Sequence, residues 1–481
     1  MPTAIVAGGS IAGLACALAL SRTGYRVLVL ERAAPPPDGP LARAAARWQR
    51  PTVPQGVHSH TLTSLGVRVL RERAPGLLAA ARAAGAPILD MTAALPADAT
   101  DSAREPADDE LVALGCRRAT LELLLHRHLR ALPGVTIRHD TVVAGLELDP
   151  DRRRVRAAVT HTGDRIRADL VIDATGRRAL SRTWLDDAGI PRTPDRTSPS
   201  GLVSHTRHYR LKARELPTPL NRGNSVGGIW DHYAGVLHPG DHHTFAIALG
   251  TLPGDRALSA LRTPAGFTAA ATATPGLAPW LAPEASEPIT PVHVITSPPN
   301  ALYGTASPRQ EHPVAGLFPV GDAACVTNPL FGRGMSLALE HAFRLADVLA
   351  ENPAVDLTQR HAVARMTEGL LLPWYEQSVA GDRILMARWR AARDGRPQPP
   401  RTPPDAASPT IEQITAAAQG DGAVWRALTR MLMTLTTPAE LLDDDKLRAR
   451  VHQAPAPCGS PRPPGRDAFV RGVTAAKEKH T

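Results

Sequence analysis

A glycine-rich segment near the start of the chain has residue types and spacing that can hold a phosphate group. Gly8 follows a short apolar run, Ala4 to Ala7, which predicts a buried parallel strand. The Ala- and Leu-rich run from Ile11 to Ser21 predicts a helix. The first turn of such a helix offers unpaired N–H groups and a positive dipole end to a pyrophosphate. Gly13 would let that helix approach the strand closely.

An acidic residue completes this pattern. A second apolar run, Val27 to Leu30, ends at Glu31, whose carboxylate can accept a hydrogen bond from a ribose hydroxyl. The resulting strand–turn–helix–strand unit is the context that a dinucleotide-binding motif requires. Ser10 stands where the G-x-G-x-x-G pattern has its second glycine, and serine still allows close backbone approach. The alternative is a glycine-rich turn in another kind of α/β domain, but Glu31 favours a dinucleotide.

A later segment places a second carboxylate at a strand end. The run Ala315 to Val320 predicts a buried strand that delivers Asp322 to its carboxyl end, where open α/β sheets bind ligands. Gly332 and Gly334 then lead into a predicted helix, Met335 to Asn352, and their N–H groups can face a ligand that becomes negative. In the alternative interpretation, Asp322 only caps a helix and the glycines only form a loop.

The order of predicted elements indicates an α/β fold. A Rossmann-like domain with a parallel sheet would be interrupted by an antiparallel sheet formed by Gly201 to Leu211, Val226 to Leu237 and Thr244 to Leu249. The remainder is predicted to be mainly helical, with a Pro-rich linker, Pro397 to Pro409, and a loose tail.

Composition excludes several functional classes. Hydrophobic residues make up 43% and charged residues 21%, which is typical of a soluble globular protein. The net charge of +9 comes mainly from dispersed arginines without interleaved aromatic residues, so nucleic-acid binding is not expected. No stretch is apolar enough for a transmembrane helix and no signal peptide is recognised, so we expect a cytoplasmic protein.

Neither disulfides nor a metal site is expected. The scattered cysteines form no CxxC pair and fit a reducing compartment; they are Cys16, Cys116, Cys325 and Cys458. His242 and His243 lack carboxylate partners at a spacing suitable for a metal.

Three ordered motifs, Gly8 to Glu31, Asp169 to Arg182 and Gly321 to Ser336, resemble those of the class A FAD-dependent monooxygenases, which have the fold of para-hydroxybenzoate hydroxylase. The resemblance implies that FAD is the cofactor, that NAD(P)H and O₂ are co-substrates, and that a lipophilic or aromatic small molecule is oxygenated. It assigns these residues to the cofactor: Gly8, Ser10, Ile11, Ala12, Gly13, Glu31, Arg32, Arg118, Asp173, Gly321, Asp322, Gly332, Gly334 and Met335. The expected division is 1–195 and 299–352 for the FAD-binding domain, 196–298 for the substrate sheet and 353–481 for the C-terminal region.

Finer motifs are similar to the squalene-epoxidase-like branch, which includes bacterial enzymes that tailor polyketides and terpenoids. They are Asn328-Pro-x-x-Gly-x-Gly-Met, Val53-Pro-Gln-x-x-His58-x-His60 and Cys116-Arg-Arg118-x-x-Leu-Glu122. The resemblance links the second motif to nicotinamide use, but here Ala-Thr separates Asp173 from Gly176 where many members have a plain Asp-Gly pair. Both hydroxylation and epoxidation stay open.

Other candidates lie outside these motifs. His58 and His60 could face the flavin or the substrate, or could be loop histidines without a role. Trp230, His232 and Tyr233 could line a substrate pocket, or could be core or surface residues. No side chain is expected to be indispensable as an acid or base, because the cofactor supplies the difficult chemistry.

Three other functions are open. They are a flavin-dependent dehydrogenase or reductase, a flavin halogenase, and a flavin-binding protein without turnover. Halogenases of this fold depend on a lysine after the first nucleotide motif and typically carry Trp-x-Trp-x-Ile-Pro. This chain has no lysine before Lys212, and its nearest aromatic segment, Trp230-Asp-His-Tyr, lacks the second Trp and the Ile-Pro. Oxygen insertion is therefore the expected reaction.

Overall fold

The computed structural model describes residues 1–399, 409–454 and 461–478. Most of the predicted linker, Pro397 to Pro409, and Cys458 lie outside the described residues. The domain boundaries proposed from the sequence stay predictions.

The strands, numbered in chain order, are β1 Thr3–Ala7, β2 Arg26–Leu30, β3 Ile88–Asp90, β4 Val112–Leu114, β5 Val135–Arg138, β6 Val143–Leu148, β7 Val155–Thr160, β8 Arg165–Arg167, β9 Leu170–Asp173, β10 Arg196–Ser198, β11 Val203–Leu211, β12 Val226–Ile229, β13 Ala234–Pro239, β14 Thr244–Thr251, β15 Ser286–Pro288, β16 His293–Thr296, β17 Asn300–Leu302, β18 Leu317–Pro319 and β19 Cys325–Val326.

The α-helices are α1 Ile11–Arg22, α2 Leu41–Arg47, α3 Ser64–Arg73, α4 Pro75–Ala83, α5 Arg118–Arg130, α6 Ser181–Asp187, α7 Pro264–Thr272, α8 Ala278–Leu281, α9 Gly334–Glu351, α10 Leu357–Arg393, α11 Ile411–Ala417, α12 Gly422–Leu432, α13 Pro438–Leu442, α14 Asp445–Gln453 and α15 Arg466–Glu478. Among the described residues, no helix has the length and apolarity needed to cross a membrane.

A parallel sheet forms the first layer of the fold, with strand order β18-β9-β1-β2-β5. Its apolar strands are buried on both faces: Val6 packs toward α1 and α9, whereas Ile5 packs toward α6 and β7. Because parallel strands share a direction, the residues that follow β1, β9 and β18 meet at one edge of the sheet. The first, second and third motifs are therefore neighbours in space.

A six-stranded antiparallel sheet is inserted between β9 and β18. Its main path is β12-β13-β14-β11-β15, and β16 also pairs with β11. The long pairing of β11 with β14 runs from Val203 opposite Thr251 to Arg210 opposite Thr244. The predicted α/β fold with a parallel sheet, an inserted antiparallel sheet and C-terminal helices is confirmed.

The C-terminal region packs on both sheets. The long helix α10 begins after β18 and α9, and it continues through Pro373. The predicted loose tail is wrong for residues 466–478, which form α15. This helix packs against α7 because Phe469 and Val473 are buried in the hydrophobic cluster behind the antiparallel sheet.

Candidate functional site

The turn after β1 needs its glycines for steric reasons. Gly8 has φ +108°, and a Cβ there would lie 2.5 Å from the carbonyl oxygen of Ala174. A Cβ on Gly13 would lie 1.8 Å from the carbonyl oxygen of Gly8. These contacts bring the start of α1 against the strand ends, so Ser10, Ile11 and the helix N-terminus border a cavity. The arrangement suits an anion, because first-turn N–H groups have no helical acceptor.

Glu31 lies on the wall of this cavity and is nearly fully buried. Its Oε2 accepts hydrogen bonds from the backbone N–H of Gly9 (2.7 Å) and from Nη2 of Arg50 (3.2 Å), and its Oε1 accepts one from Ala33 N (2.8 Å). A carboxylate has about four lone-pair sites, so one further donor can be accepted. Arg32 also borders the cavity.

Ser10 belongs to a polar network that the sequence analysis missed. Its hydroxyl donates to Oε2 of Glu122 (2.8 Å) and accepts from Nη2 of Arg118 (2.9 Å). Arg50 forms a short ion pair with Glu122, and its guanidinium lies 4.8 Å from the centre of the Trp48 ring. The serine in the glycine position thus connects α1 to α5. Arg50 and Glu122 are far apart in sequence. Glu122 is part of the Cys116 to Glu122 motif, whereas no motif included Arg50.

Asp173, predicted to contact the cofactor, has a different position. It is fully buried and is not among the cavity-lining residues. Oδ1 accepts from the backbone N–H and hydroxyl of Thr175 (3.0 and 2.6 Å), and Oδ2 accepts from Ser181 N (2.7 Å). The prediction is corrected: both carboxylate oxygens stabilise the turn between β9 and α6, and its neighbours Thr175 and Gly176 border the cavity instead.

Asp322 borders the cavity in the short turn that follows β18. Gly321, with φ +61°, brings this turn against the first motif, since a Cβ there would lie 2.9 Å from the Cβ of Ala12. Burial raises the pKa of the Asp322 carboxyl, although Arg118 and Arg177 oppose the shift. Within the described residues its carboxylate has no hydrogen-bond partner, so it is available to a ligand hydroxyl.

The segment after β19 turns toward the same cavity. The Asn328 amide donates to Oδ1 of Asp382 (2.7 Å), and its Oδ1 accepts from Leu330 N (2.9 Å). Gly332 has φ +67°. Helix α9 begins at Gly334, and Gly332, Gly334 and Met335 all border the cavity.

Arg333 is a second residue that the sequence analysis missed. It is 5% exposed, and its guanidinium lies between the rings of Phe331 (4.7 Å) and Trp374 (4.8 Å). Nη2 donates to Oε1 of Gln377 (2.6 Å), whereas Nη1 is buried without a partner among the described residues. Burial lowers the pKa of this guanidinium. The sequence around Arg333 did not predict this role, because one of the two rings, Trp374, belongs to α10 and is distant in the chain.

His58 and His60 both border the cavity. Nδ1 of His58 lies 2.8 Å from Oγ1 of Thr206, and Nδ1 of His60 lies 2.8 Å from the carbonyl oxygen of His58. Burial lowers the pKa of His58 to about 4 and that of His60 to about 3; neighbouring histidines add to the shift of His58, and Arg118 adds to that of His60. Both imidazoles are therefore uncharged at neutral pH, and they are suited to hydrogen bonding more than to taking up a proton.

The three predicted substrate residues do not reach the cavity. Tyr233 is fully buried, its ring stacks 4.3 Å from that of Phe469, and its hydroxyl pairs with Thr274 (3.0 Å). His232 also contacts Phe469, and Trp230 stacks on Tyr233. This assignment of Trp230, His232 and Tyr233 is corrected: the three residues lie in the connection between β12 and β13, and their rings pack against one another and against Phe469.

Side chains of β13 and β14 alternate between the two faces of the sheet. One set of positions borders the cavity: Ala234, Val236, His238, Ala248 and Gly250. The opposite set lies in the cluster behind the sheet: Tyr233, Leu237, Phe245, Ile247 and Leu249. The sequence period was visible, but it did not say which of the two faces would meet the cofactor domain.

The cavity measures about 690 Å³ and joins the edge of the parallel sheet to the inner face of the antiparallel sheet. The C-terminal region also contributes apolar side chains to the wall of the cavity: Leu371, Ile411, Met431, Leu432 and Met433. In the described part of the chain, no cluster of three or more potential metal-ligating side chains is found. One chamber therefore borders both the dinucleotide motifs and an apolar surface suited to a second, less polar molecule.

Comparison with known proteins agrees with this geometry. Residues 1–208 match the family described as "FAD binding domain". The chain is 29% identical over 418 residues to Protein Rv3254 of Mycobacterium tuberculosis, covering 79% of this chain and 80% of the relative. It is 25% identical over 352 residues to 6-hydroxy-3-succinoylpyridine 3-monooxygenase HspB of Pseudomonas putida, covering 72% and 78%.

Solved structures of similar fold include both monooxygenases and halogenases. PqsL of Pseudomonas aeruginosa, in complex with 2-aminobenzoylacetate, has a TM-score of 0.58 at 16% identity over 81% of this chain and 98% of its own. For p-nitrophenol 4-monooxygenase PnpA of P. putida the TM-score is 0.58 at 18% identity, over 91% and 100%. For the myxobacterial chondrochloren halogenase CndH it is 0.54 at 19%, over 79% and 82%. Residues 1–208 thus match the FAD binding domain family, and the chain shares the fold of these flavin-dependent monooxygenases and halogenases.

Proposed function

We propose that this protein is an FAD-dependent monooxygenase that uses NAD(P)H and O₂ to hydroxylate or epoxidise a lipophilic or aromatic small molecule in natural-product tailoring. The observation that carries the proposal is the continuous cavity between the three motifs and the apolar inner face of the antiparallel sheet. The names of two relatives, a hydroxypyridine monooxygenase and a protein in complex with 2-aminobenzoylacetate, support a small aromatic substrate.

The residues around the cavity fit FAD. The N-terminus of α1 would meet the pyrophosphate, and Glu31 would accept a hydrogen bond from the adenosine ribose. The unpartnered carboxylate of Asp322 would accept one from a ribityl hydroxyl. The backbone N–H groups at the start of α9, after Gly332 and Gly334, would face the ring edge that becomes negative on reduction.

When bound, FAD supplies the redox chemistry with NAD(P)H and O₂. The protein contributes position and a dry environment. Ala248, Val236 and the C-terminal Met431 and Met433 give the substrate an apolar surface that excludes water. His58 and His60 are uncharged at the wall and would orient a substrate hydroxyl by hydrogen bonding, whereas their low pKa values make them weak bases. Neither is required as the sole acid or base.

The halogenase alternative has less support in this chain. None of the described cavity-lining residues is a lysine. Lys212 is exposed, and its Nζ donates to the carbonyl oxygen of Pro283 (2.6 Å), away from the cavity. An arginine is a poor replacement for a lysine that must present a free amine, because a guanidinium stays protonated.

The test is turnover of a panel of aromatic and terpenoid compounds by the FAD-loaded protein. We expect at least one compound to stimulate NAD(P)H oxidation and to give a product heavier by one oxygen atom, labelled when ¹⁸O₂ is supplied. Oxidised product without ¹⁸O would indicate a dehydrogenase, and a halogenated product in excess chloride or bromide would indicate a halogenase. Bound FAD that no NAD(P)H reduces would indicate a flavin-binding protein without turnover.

A further inference from the structure

Arg222 places a positive charge in the part of the cavity that lies against the antiparallel sheet. It borders the cavity, and its side chain is exposed because it projects into that open space. In residues 1–399, 409–454 and 461–478, no carboxylate or other acceptor pairs with its guanidinium. The carboxylates that border the cavity, Glu31 and Asp322, both follow strands of the parallel sheet, and Glu31 is paired with Arg50.

The loop that carries Arg222 is fixed by its backbone. Gly223 has φ +75°, and a Cβ there would lie 2.6 Å from the Cα of Met91. The backbone N–H of Arg222 donates to the carbonyl oxygen of Ser225 (3.1 Å). The side-chain oxygen of Asn221 accepts from the N–H of Gly227 (3.1 Å). The guanidinium therefore projects from an ordered loop, which lowers the entropy cost of binding a ligand.

The groups near Arg222 are neutral or apolar. His238 borders the same space, and its Nδ1 lies 3.1 Å from the hydroxyl of Ser59. Burial lowers the pKa of His238 to about 4, and the charge of Arg222 contributes to this shift. Val236 and Met433 supply apolar surface. The Arg222 guanidinium faces the enclosed space of the cavity, where its surroundings lower its pKa and no carboxylate of the described residues pairs with it, so an anionic ligand would stabilise its charge.

We propose that Arg222 binds a carboxylate of the substrate, so that the substrate is an organic acid with an apolar or aromatic body. A guanidinium can hold a carboxylate with two parallel hydrogen bonds, and the apolar wall would receive the rest of the molecule. The inference rests on the proposed function, because it assigns a substrate class to the same cavity.

The experiment measures binding without turnover. The FAD-loaded protein is titrated, in the absence of NAD(P)H, with benzoate, cinnamate, 2-naphthoate and decanoate and with their primary amides, followed by flavin absorbance and by equilibrium dialysis. We expect at least one acid to bind about ten- to a hundredfold more tightly than its amide. Arg222→Gln should remove that preference and leave FAD content unchanged, and Arg222→Lys should keep part of it.

Arg214→Gln is the matched control, since Arg214 is an exposed arginine of the same connection between β11 and β12 and does not border the cavity. It should bind the acids like the wild type. The proposal is overturned if no acid is preferred over its amide, if Arg222→Gln keeps the preference, or if Arg222→Gln loses FAD instead. A failure of oxygen insertion would leave the binding preference intact, so the two proposals fail separately.

Discussion

Asp241, in the turn between β13 and β14, accepts hydrogen bonds from both the backbone and the side chain of Arg117. The distances are 2.8 Å from Arg117 N to Oδ1 and 2.6 Å from Nη2 to Oδ2. The Asp241 side chain is fully buried, and the Thr120 hydroxyl donates to it as well (2.9 Å). Since the next residue, Arg118, contacts Ser10, this ion pair connects the antiparallel sheet to the first nucleotide motif.

Asp241→Asn should destabilise the protein by about 3 kcal/mol, because it removes the charge of a fully buried carboxylate that pairs with the partly buried guanidinium of Arg117. Burial raises the pKa of Asp241, but the hydrogen bonds and charge of Arg117, with a smaller contribution from His242, lower it to about 2. A depressed carboxyl pKa stabilises the fold above the unfolded value and loses that stabilisation as the pH falls toward 2. Urea unfolding between pH 7 and pH 3 should show a shallower pH dependence in the variant.

The matched control is Asp186→Asn, which breaks an ion pair with Arg192 in which the Asp186 side chain is 54% exposed. That change should cost less than about 1 kcal/mol. Equal losses for the two variants would contradict the structural role of Asp241.

Asp322→Ala should weaken FAD binding by about ten- to over a hundredfold, equivalent to about 1.5–3 kcal/mol, because it removes the carboxylate that faces the cavity. Asp322→Asn should lie between Ala and wild type, since an amide oxygen still accepts a hydrogen bond. The measurement is FAD affinity of the refilled apoprotein by fluorescence quenching. Wild-type affinity in the Ala variant would remove Asp322 from the cofactor site.

Glu31→Arg should damage FAD binding more than Glu31→Gln. Either variant loses the carboxylate, but arginine also places a like charge beside Arg50, whose Nη2 lies 3.2 Å from Glu31. Flavin content after purification and FAD affinity are the readouts. If both variants hold FAD as tightly as the wild type, Glu31 is not the ribose acceptor.

Val236→Phe and Tyr233→Ala should act on different properties, because their side chains lie on opposite faces of the antiparallel sheet. The added ring at position 236 should exclude the larger active compounds while the melting temperature changes little. Tyr233→Ala should lower the free energy of unfolding by about 3–5 kcal/mol, and binding at low temperature should be kept. Reversed effects would contradict the assignment of the two faces.

His58→Gln should make the protein less sensitive to mild acid. Burial lowers the pKa of His58 to about 4, so the folded state resists protonation while the unfolded chain accepts a proton at its ordinary value. The wild type therefore loses stability as the pH falls from 6.5 toward 4, and the variant should lose less. Thermal melts at pH 7, 6 and 5 measure the difference; parallel losses would show that His58 is already protonated or solvated in the fold.

The sequence predicted well what depends on local pattern. Gly8, Gly13 and Asp322 lie where the strand and turn signals placed them, because a buried apolar run followed by a glycine has few other structures available. The loose alternation from Val226 to Leu237 predicted a strand there, whereas the structure forms β12 and β13 with residues 230–233 between them. The sequence did not indicate which face of the antiparallel sheet borders the cavity. That choice depends on α7 and α15, which cover the opposite face and follow later in the chain.

Residues that act through distant partners escaped prediction for a related reason. Asp173 has the right position in its motif, but the following loop bends back so that Ser181 N uses its carboxylate. Arg50, Arg222 and Arg333 are three arginines in a chain rich in arginine, so residue type alone could not distinguish them. Their meaning comes from what surrounds them, such as the Trp374 ring beside Arg333.

Helix α15 packs against the face of the antiparallel sheet that is opposite the cavity. Substitutions in this helix could therefore change substrate preference without contacting the substrate. Phe469 stacks on Tyr233, which is one residue from cavity-lining Ala234. We therefore expect a change of side-chain size at position 469 to shift the start of β13, although position 469 does not border the cavity. Laboratory evolution for new substrates should therefore include this helix in its libraries.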